Sequence, residues 1–456
     1  MRKTGRHRRK NLTPPLVVII GFLSVISAGT ILLLLPWSTA SGKSPGFITA
    51  LFTATSATCV TGLIVVDTGS YFSLFGQSII LALIQLGGLG IMTLSTAFTL
   101  LLGRKMTVRE KVILGDVFNY TRYDFLQTLL KSILLMTIFI EALGFLSFYI
   151  SFARHMPRAK AAYFSLFHSI SAFCNAGFST FSDSFMGMRT DVPVNLTLVI
   201  LIVLGGVGFT VLLDLRQLFF WRRPRKFSFH TRLVLSTTAF LTVLGAVLIF
   251  FFEFWGPLSG LGIRDKIFGA IFQSVTARTA GFSTLPISSM NVASLFLIIN
   301  LMFIGASPGS TGGGIKTTTF AIVASFIRSM VKDRDDVEVY KRTVPRRVVH
   351  RAISVFALGI MLIFTCTFIL CVTERSLPLL YRQHGLLVSV MFEATSAFGT
   401  VGLSTGITPH LSTMGKLIIT LAMFIGRTGP LTLALAIGLR ESKTRYRYPE
   451  MHIMVG

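Results

Sequence analysis

The sequence predicts an all-α, polytopic membrane protein of eight transmembrane helices, built from one unit used four times. Three observations predict it: long apolar stretches without charge, basic segments that alternate along the chain, and a glycine-ended tract that recurs between them.

Of the 456 residues, 52% are hydrophobic and only 13% are charged, where soluble proteins carry about 25%. No Asp, Glu, Lys or Arg occurs from Asn11 to Gly42, Thr68 to Gly103, Val192 to Leu213, Leu233 to Phe252, Thr279 to Ile315, or Ala352 to Thr373. Each gap matches or exceeds the ~20 apolar residues that cross a ~30 Å hydrocarbon core. The first is too long for the apolar region of a cleaved leader and lacks a small-residue cleavage site, so it reads as a retained first span.

A net charge of +25 would suggest nucleic acid in a soluble chain, but in a membrane chain position decides its meaning. Of the 43 Lys and Arg, 30 fall in five segments: residues 2–10, 104–131, 216–232, 328–351 and 440–447. By the positive-inside rule these five lie in the cytoplasm, with both termini among them. Topology alone requires such loops, so no nucleic-acid partner is called for, and attraction to anionic membrane lipid accounts for any excess. Five inside segments separated by four outside ones require eight spans. Cys59, Cys174, Cys366 and Cys371 show neither disulfide-framework nor zinc-site spacing and read as free thiols.

Each outside segment holds an apolar stretch of about 10–14 residues, the length of a re-entrant helix rather than a span. Each stretch then enters a small-residue tract, running from Phe52 to Gly62, Phe167 to Gly177, Phe272 to Gly281 and Phe392 to Gly402. The Phe-to-Gly distance is ten residues in three copies and nine in the third, and successive glycines lie 115, 104 and 121 residues apart. Ordinary interfacial turns would not repeat Phe, Ser or Thr, and Gly at matched places, so a period above 100 marks internal duplication. The repeats run over 12–120, 121–228, 229–343 and 344–456, the last including a cytoplasmic tail.

The chemistry this unit suits is ion conduction. An ion crossing a bilayer must exchange its hydration shell for protein ligands, and rings of backbone carbonyls supply them without burying a fixed charge. Turning successive carbonyls inward needs alternating backbone handedness, which glycine adopts without side-chain penalty. Non-helical backbone at membrane depth is tolerated only where it is buried or lines a watery cavity, and the short helices aim their partially negative C-terminal ends at a cation. The layout is therefore four M1-P-M2 repeats (span, pore helix and filter loop, span) around a pseudo-fourfold central pore. The candidate filter residues are Val60, Thr61 and Gly62; Asn175, Ala176 and Gly177; Thr279, Ala280 and Gly281; and Thr400, Val401 and Gly402.

The third repeat carries a second device. Between Gly305 and Lys316, Pro308 joins Gly305, Gly309, Gly312, Gly313 and Gly314, which breaks the helix in mid-membrane. A phosphate-binding loop needs glycine directly before the lysine, and Ile315 stands there. The stretch reads as a flexible intramembrane loop below the filter, a gate with Lys316 as a mobile positive charge; a passive packing kink is the alternative. Arg427, in Ile425-Gly-Arg-Thr-Gly-Pro430, is costly in mid-bilayer unless it faces a cavity or partner. Glu141 is the candidate salt-bridge partner in the structural alternative. His168, Glu253, Glu374 and Glu393 near the outer face either attract cations or cap helices and pair locally. The spans offer no paired acids, metal-ligand spacing or nucleophile constellation, so the chain does not read as an enzyme. It also lacks room for a nucleotide-binding domain, which assigns regulation to another subunit.

With one filter glycine in each of four span-loop-span units, and with the tracts Cys59-Val-Thr-Gly62-Leu, Phe173-Cys-Asn-Ala-Gly177-Phe and Thr276-Ala-Arg-Thr-Ala-Gly281-Phe-Ser-Thr, the sequence resembles the Trk/Ktr/HKT superfamily of potassium transporters over essentially the whole chain. With eight spans and this length, the chain is most similar to the bacterial Ktr membrane (pore) subunit. The resemblance implies potassium uptake through a filter with one glycine per repeat. Members with serine at the first of these positions favour sodium, whereas all four are glycine here. It implies that residues 308–316 form an intramembrane gate and that Arg427 lies beneath the filter as an electrostatic barrier. It further implies a homodimer in the bacterial inner membrane, seated on a cytosolic nucleotide-binding (ATP/ADP) regulatory ring of the KtrA/TrkA type. The basic loops and the tail through Gly456 are its docking surfaces. Potassium is the transported ion, no covalently bound cofactor is implied, and sodium stands as a candidate activator. A sodium or nonselective cation pathway on the same fold is the alternative.

Overall fold

The structure is a computed structural model that describes residues 14–90, 126–220, 227–375 and 385–430, with Thr432. The basic segments at 2–10 and 440–447, most of the one at 104–131, and the candidate docking tail through Gly456 lie outside the described residues.

Four long helices recur along the chain: α1 (Pro14–Leu33), α4 (Leu126–Phe152), α8 (Phe229–Glu253) and α12 (Arg346–Thr373). At 1.5 Å per residue even 20 residues span about 30 Å. Each is followed by a short helix: α2 (Phe47–Thr58), α5 (Arg158–Phe173), α9 (Ile263–Thr276) and α13 (Leu386–Gly399). A second helix then completes the unit: α3 (Leu74–Leu89), α6 (Val192–Val207), α10 (Val292–Phe303) and α14 (Thr413–Thr428). The chain is thus all-α in architecture, four span, pore-helix, span units. Among the described residues its only strands are a two-residue hairpin, β1 (Glu338–Val339) with β2 (Arg342–Thr343).

The second helices start alike. Ser73, Asp191, Asn291 and Ser412 each accept a hydrogen bond from the backbone N–H three residues on, which satisfies an otherwise orphaned donor of the first turn. In the third and fourth repeats the end of the first helix reaches over to this cap. Glu253 accepts from Asn291 N at 3.0 Å, and Glu374 accepts from Ser412 N at 3.0 Å.

Three of the second helices end at a positive-φ glycine and that of the third repeat runs into a glycine-rich loop, whereas the sequence predicts a break only in the third repeat. Four helices among the described residues are long and apolar enough to cross a bilayer uninterrupted. Helix α6 turns by 102° into α7 (Phe209–Phe220) at Gly208, whose φ is 95°. Helices α3 and α14 end at Gly90 (φ 82°) and Gly429 (φ 88°). Between α10 and α11 (Thr317–Val331) runs the glycine-rich loop. Positive φ at these three sites is open to glycine and costs other residues about 1–2 kcal/mol.

Each short helix buries its leading aromatic: Phe52, Phe167 and Phe392 are fully buried and Phe272 nearly so. These rings seat the four short helices by close packing against their neighbours, at the same place in all four tracts. Outward, the long helices present Ile138, Phe139, Phe251, Phe364 and Phe368, the surface that a helix shows to lipid. The four cysteines are free thiols.

Candidate pore and the loop beneath it

The four tracts converge. A Cβ built on Gly62 would strike the Ala176 carbonyl oxygen and lie 2.9 Å from Gly177 Cα. One on Gly177 would lie 2.8 Å from Ala280 O and 3.1 Å from Gly281 Cα. One on Gly281 would meet Val401 O, 3.1 Å from Gly402 Cα, and one on Gly402 would meet Thr61 O, 3.1 Å from Gly62 Cα. The contacts run from each repeat to the next and close on the first, so the four repeats surround one pseudo-fourfold axis.

Local backbone geometry explains how a helix turns into a ring. Two residues before each glycine stands a non-glycine residue in a left-handed conformation: Val60 (φ 57°), Asn175 (φ 58°), Thr279 (φ 93°) and Thr400 (φ 49°). The glycines follow with φ of 87°, 69°, 77° and 93°. Such backbone costs of order 1–3 kcal/mol per non-glycine residue and persists only where the surroundings impose it. Here Val60, Thr61, Asn175, Ala176, Thr279, Ala280, Thr400 and Val401 are all fully buried.

What imposes it is a hydroxyl four residues after each motif Phe, visible in the sequence only as part of the repeat. Ser56 accepts from Gly62 N at 3.1 Å and donates to Leu63 O at 2.8 Å. Ser171 donates to Phe178 O, Thr276 to Phe282 O, and Ser396 accepts from Gly402 N. Main-chain bonds of 2.8 Å join Thr61, Ala176 and Val401 N to the carbonyls of Ser56, Ser171 and Ser396. In the third copy, one residue shorter, the Thr276 carbonyl instead takes Ala280 N at 3.0 Å and Gly281 N at 3.4 Å. Outside the ring opens a cavity of about 340 Å³, bounded by the four glycines with Asp183 and Ser404 on its wall.

Below the ring lies the loop between Ile304 and Lys316. It is bonded to the second repeat by Ser307 N to Gly206 O (3.0 Å), Thr311 N to Gly205 O (3.2 Å) and Phe209 N to Gly309 O (2.9 Å). Gly313 N donates to Thr400 Oγ1 at 3.0 Å. A Cβ on Gly312 would sit 2.9 Å from Thr279 Cβ, and one on Gly313 would sit 2.8 Å from Thr400 Cγ2, so the loop abuts two of the ring's own side chains. Gly309 and Gly314 take φ of 67°, and Pro308 precedes them at the turn. The Lys316 ammonium donates to Gly312 O of the same loop at 2.7 Å.

Arg427 reaches this loop from the fourth repeat. Its guanidinium donates to Thr311 O, to Gly87 O and, at 3.4 Å, to Gly88 O. One side chain thereby joins the loop of repeat three to the helix ends of repeats one and four. The candidate Arg427–Glu141 salt bridge is not formed; Glu141 accepts instead from Gln85 Nε2 at 3.0 and 3.3 Å. In sequence, Gly426-Arg427-Thr428-Gly429 parallels Gly87-Gly88-Leu89-Gly90 and Gly205-Gly206-Val207-Gly208, so an arginine occupies a place where the first two repeats have glycine.

The family described as TrkH, cation transport protein, matches residues 4–446. The chain belongs to this family. It is accordingly a multi-pass membrane transporter of cations and not an enzyme. Among curated relatives, the Ktr system potassium uptake protein B of Bacillus subtilis is 40% identical over 446 residues, covering 97% of each chain. The protein of the same name from Vibrio alginolyticus is 38% identical over 99% of this chain and 97% of that one. The potassium/sodium uptake protein NtpJ of Enterococcus hirae is 36% identical over 98% of each. The solved structure of the potassium transporter TrkH from Vibrio parahaemolyticus superposes with a TM-score of 0.72, at 21% identity, over 95% of this chain and 86% of that one, which shows the shared fold.

Within this TrkH-family fold the outer acids and His168 take local roles. Glu393 accepts from Ser404 Oγ (2.6 Å), Thr405 N (3.0 Å) and Thr408 Oγ1 (2.7 Å), fixing the segment after Gly402. His168 bonds Ser179 Oγ at 3.1 Å and Thr180 N at 3.3 Å in the matching place of repeat two. Both side chains are fully buried and hold loops rather than facing the outer cavity.

Proposed function

We propose that this protein is the pore subunit of a potassium uptake system of the Ktr type, conducting down the membrane potential. The observation that carries the reading is the closed ring of four glycine turns with an obstructing loop directly beneath it. In this reading residues 60–62, 175–177, 279–281 and 400–402 are the filter and bind K⁺ through their carbonyls. Pro308, Gly309, Gly312, Gly313, Gly314, Lys316 and Arg427 form the gate. The units run over 12–120, 121–228, 229–343 and 344–456, in a bacterial inner membrane with both termini in the cytoplasm. A potential of 100 mV supplies about 2.3 kcal/mol per charge, enough to drive accumulation without a chemical step. The Ktr system naming of two relatives supports a component of a larger uptake system, and in the same reading the chain forms a homodimer regulated by a cytosolic nucleotide-binding ring that senses ATP and ADP. Sodium is an activator in this reading, and the potassium/sodium uptake naming of another relative keeps a sodium-conducting pathway as the second reading.

Expression in a bacterial strain lacking its own potassium uptake tests the assignment. Growth at low external potassium is expected when the chain is supplied with a Ktr-type regulatory subunit; no rescue with the protein present in the membrane would contradict it. Arg427 gives a second expectation. Replacing it by Ala removes the donors to Thr311 O and Gly87 O, and charged hydrogen bonds are worth about 1.5–3 kcal/mol each. Basal Rb⁺ flux through Arg427→Ala in liposomes should therefore rise about tenfold or more.

A further inference from the structure

Arg278 occupies a place that the repeats do not share. Three residues before the ring glycines stand Cys59, Cys174, Arg278 and Gly399. Its side chain is only 8% exposed, just past the C-terminal end of α9, where an ionised group is costly unless it serves a purpose. The guanidinium donates from Nη1 to Thr238 O on α8 at 3.2 Å and from Nη2 to Gly305 O at 3.5 Å. Gly305 is where α10 has ended and the intramembrane loop begins, folded so tightly that a Cβ on it would lie 3.1 Å from Gly314 Cα. The Arg278 Nε and the neighbouring Thr238 Oγ1 are buried without a partner. Beside them is a cavity of about 20 Å³, lined by Arg278, Thr238, Thr242, Gly206 and Ala306, room for one water.

The loop is thus gripped by two guanidinium groups. Arg427 holds its tip at Thr311, and Arg278 holds its root at Gly305 from the tract that carries Gly281. We propose that Arg278 is a positioning residue for gating. It brackets α8, the end of α9 and the root of the loop, so that the third filter turn and the gate shift as one body. This inference rests on the gate reading given above. A fork-shaped donor suits this position, because Arg spans two carbonyls in fixed geometry, whereas Lys offers one compact point of charge.

The test is a double-mutant cycle of Rb⁺ flux in liposomes, using Arg278→Lys, deletion of residues 308–314, and both together. Arg278→Lys is expected to raise basal flux about tenfold, the scale of one hydrogen bond from a charged donor, while adding nothing in the loop-deleted protein. Arg278→Gln is the second variant should Lys prevent folding, and monodispersity on gel filtration is the folding check. If the deletion raises flux but neither Arg278 variant does, the inference is overturned and the gate stands. If an Arg278 variant changes flux equally in both backgrounds, its role is structural and the inference is again overturned. If the deletion itself leaves flux unchanged, the gate reading fails and the inference falls with it.

Discussion

Deleting residues 308–314 raises basal cation flux through the isolated protein, by about one hundredfold or more. Residues 308–314 are tied to the second repeat by two main-chain bonds, Phe209 N to Gly309 O and Thr311 N to Gly205 O, to Thr400 by Gly313 N on its hydroxyl, and to Arg427 through Thr311 O. At about 1 kcal/mol net for each neutral bond and more for the charged one, these interactions hold the obstructed arrangement by several kcal/mol. Removing them together moves the equilibrium by two or more powers of ten, since each factor of ten needs about 1.4 kcal/mol. Rb⁺ uptake into liposomes, with folding checked by gel filtration, measures it. Unchanged flux in a well-folded deletion would leave the loop as a passive kink.

Substituting serine for Gly402 lowers the preference for potassium over sodium about tenfold, a change worth roughly 1–2 kcal/mol, the cost of forcing a side chain into left-handed backbone. Gly402 has φ of 93°, and its Cβ would meet Thr61 O and lie 3.1 Å from Gly62 Cα. The strain cannot be absorbed locally, because Ser396 Oγ holds Gly402 N and Glu393 holds the segment beyond. The added group therefore pushes on the first repeat's turn and displaces Thr61 O from its place in the ring. Potassium and sodium differ in the carbonyl arrangement they need, so a distorted ring loses discrimination before it loses conduction. Reversal potentials under bi-ionic conditions measure the ratio; an unaltered ratio would remove Gly402 from the filter.

Much of this arrangement is legible in the sequence, for physical reasons. Spans announce themselves because charge is excluded from hydrocarbon, and the four tracts because one local problem, turning a helix end into a ring, was solved four times with Phe, hydroxyl and Gly. Less legible is anything that depends on which carbonyl a residue meets. Glycines 90, 208 and 429 sit in runs that also suit close helix packing, so only the structure distinguishes a packing glycine from a helix end. Ser56, Ser171, Thr276 and Ser396 are visible as repeats, but their role as clamps appears only when Gly62 N and Phe178 O are brought to them. Arg278 reads as one more charge of an outside segment, because its partner Gly305 lies 27 residues away in sequence. Glu141 and Arg427 read as a pair by charge, whereas Gln85 Nε2 is the nearer partner of Glu141 and the Thr311 and Gly87 carbonyls are the nearer partners of Arg427. His168 and Glu393 follow the local reading because a buried polar group must find its hydrogen bonds within reach.

If the four glycine turns form one potassium-selective ring, the purified protein must itself discriminate between ions. Parallel uptake of Rb⁺ and Na⁺ into liposomes containing it, driven by a set membrane potential, tests this most directly. Rb⁺ uptake well above Na⁺ uptake under equal gradients is the expected result; equal permeation of the two ions would contradict a selective ring.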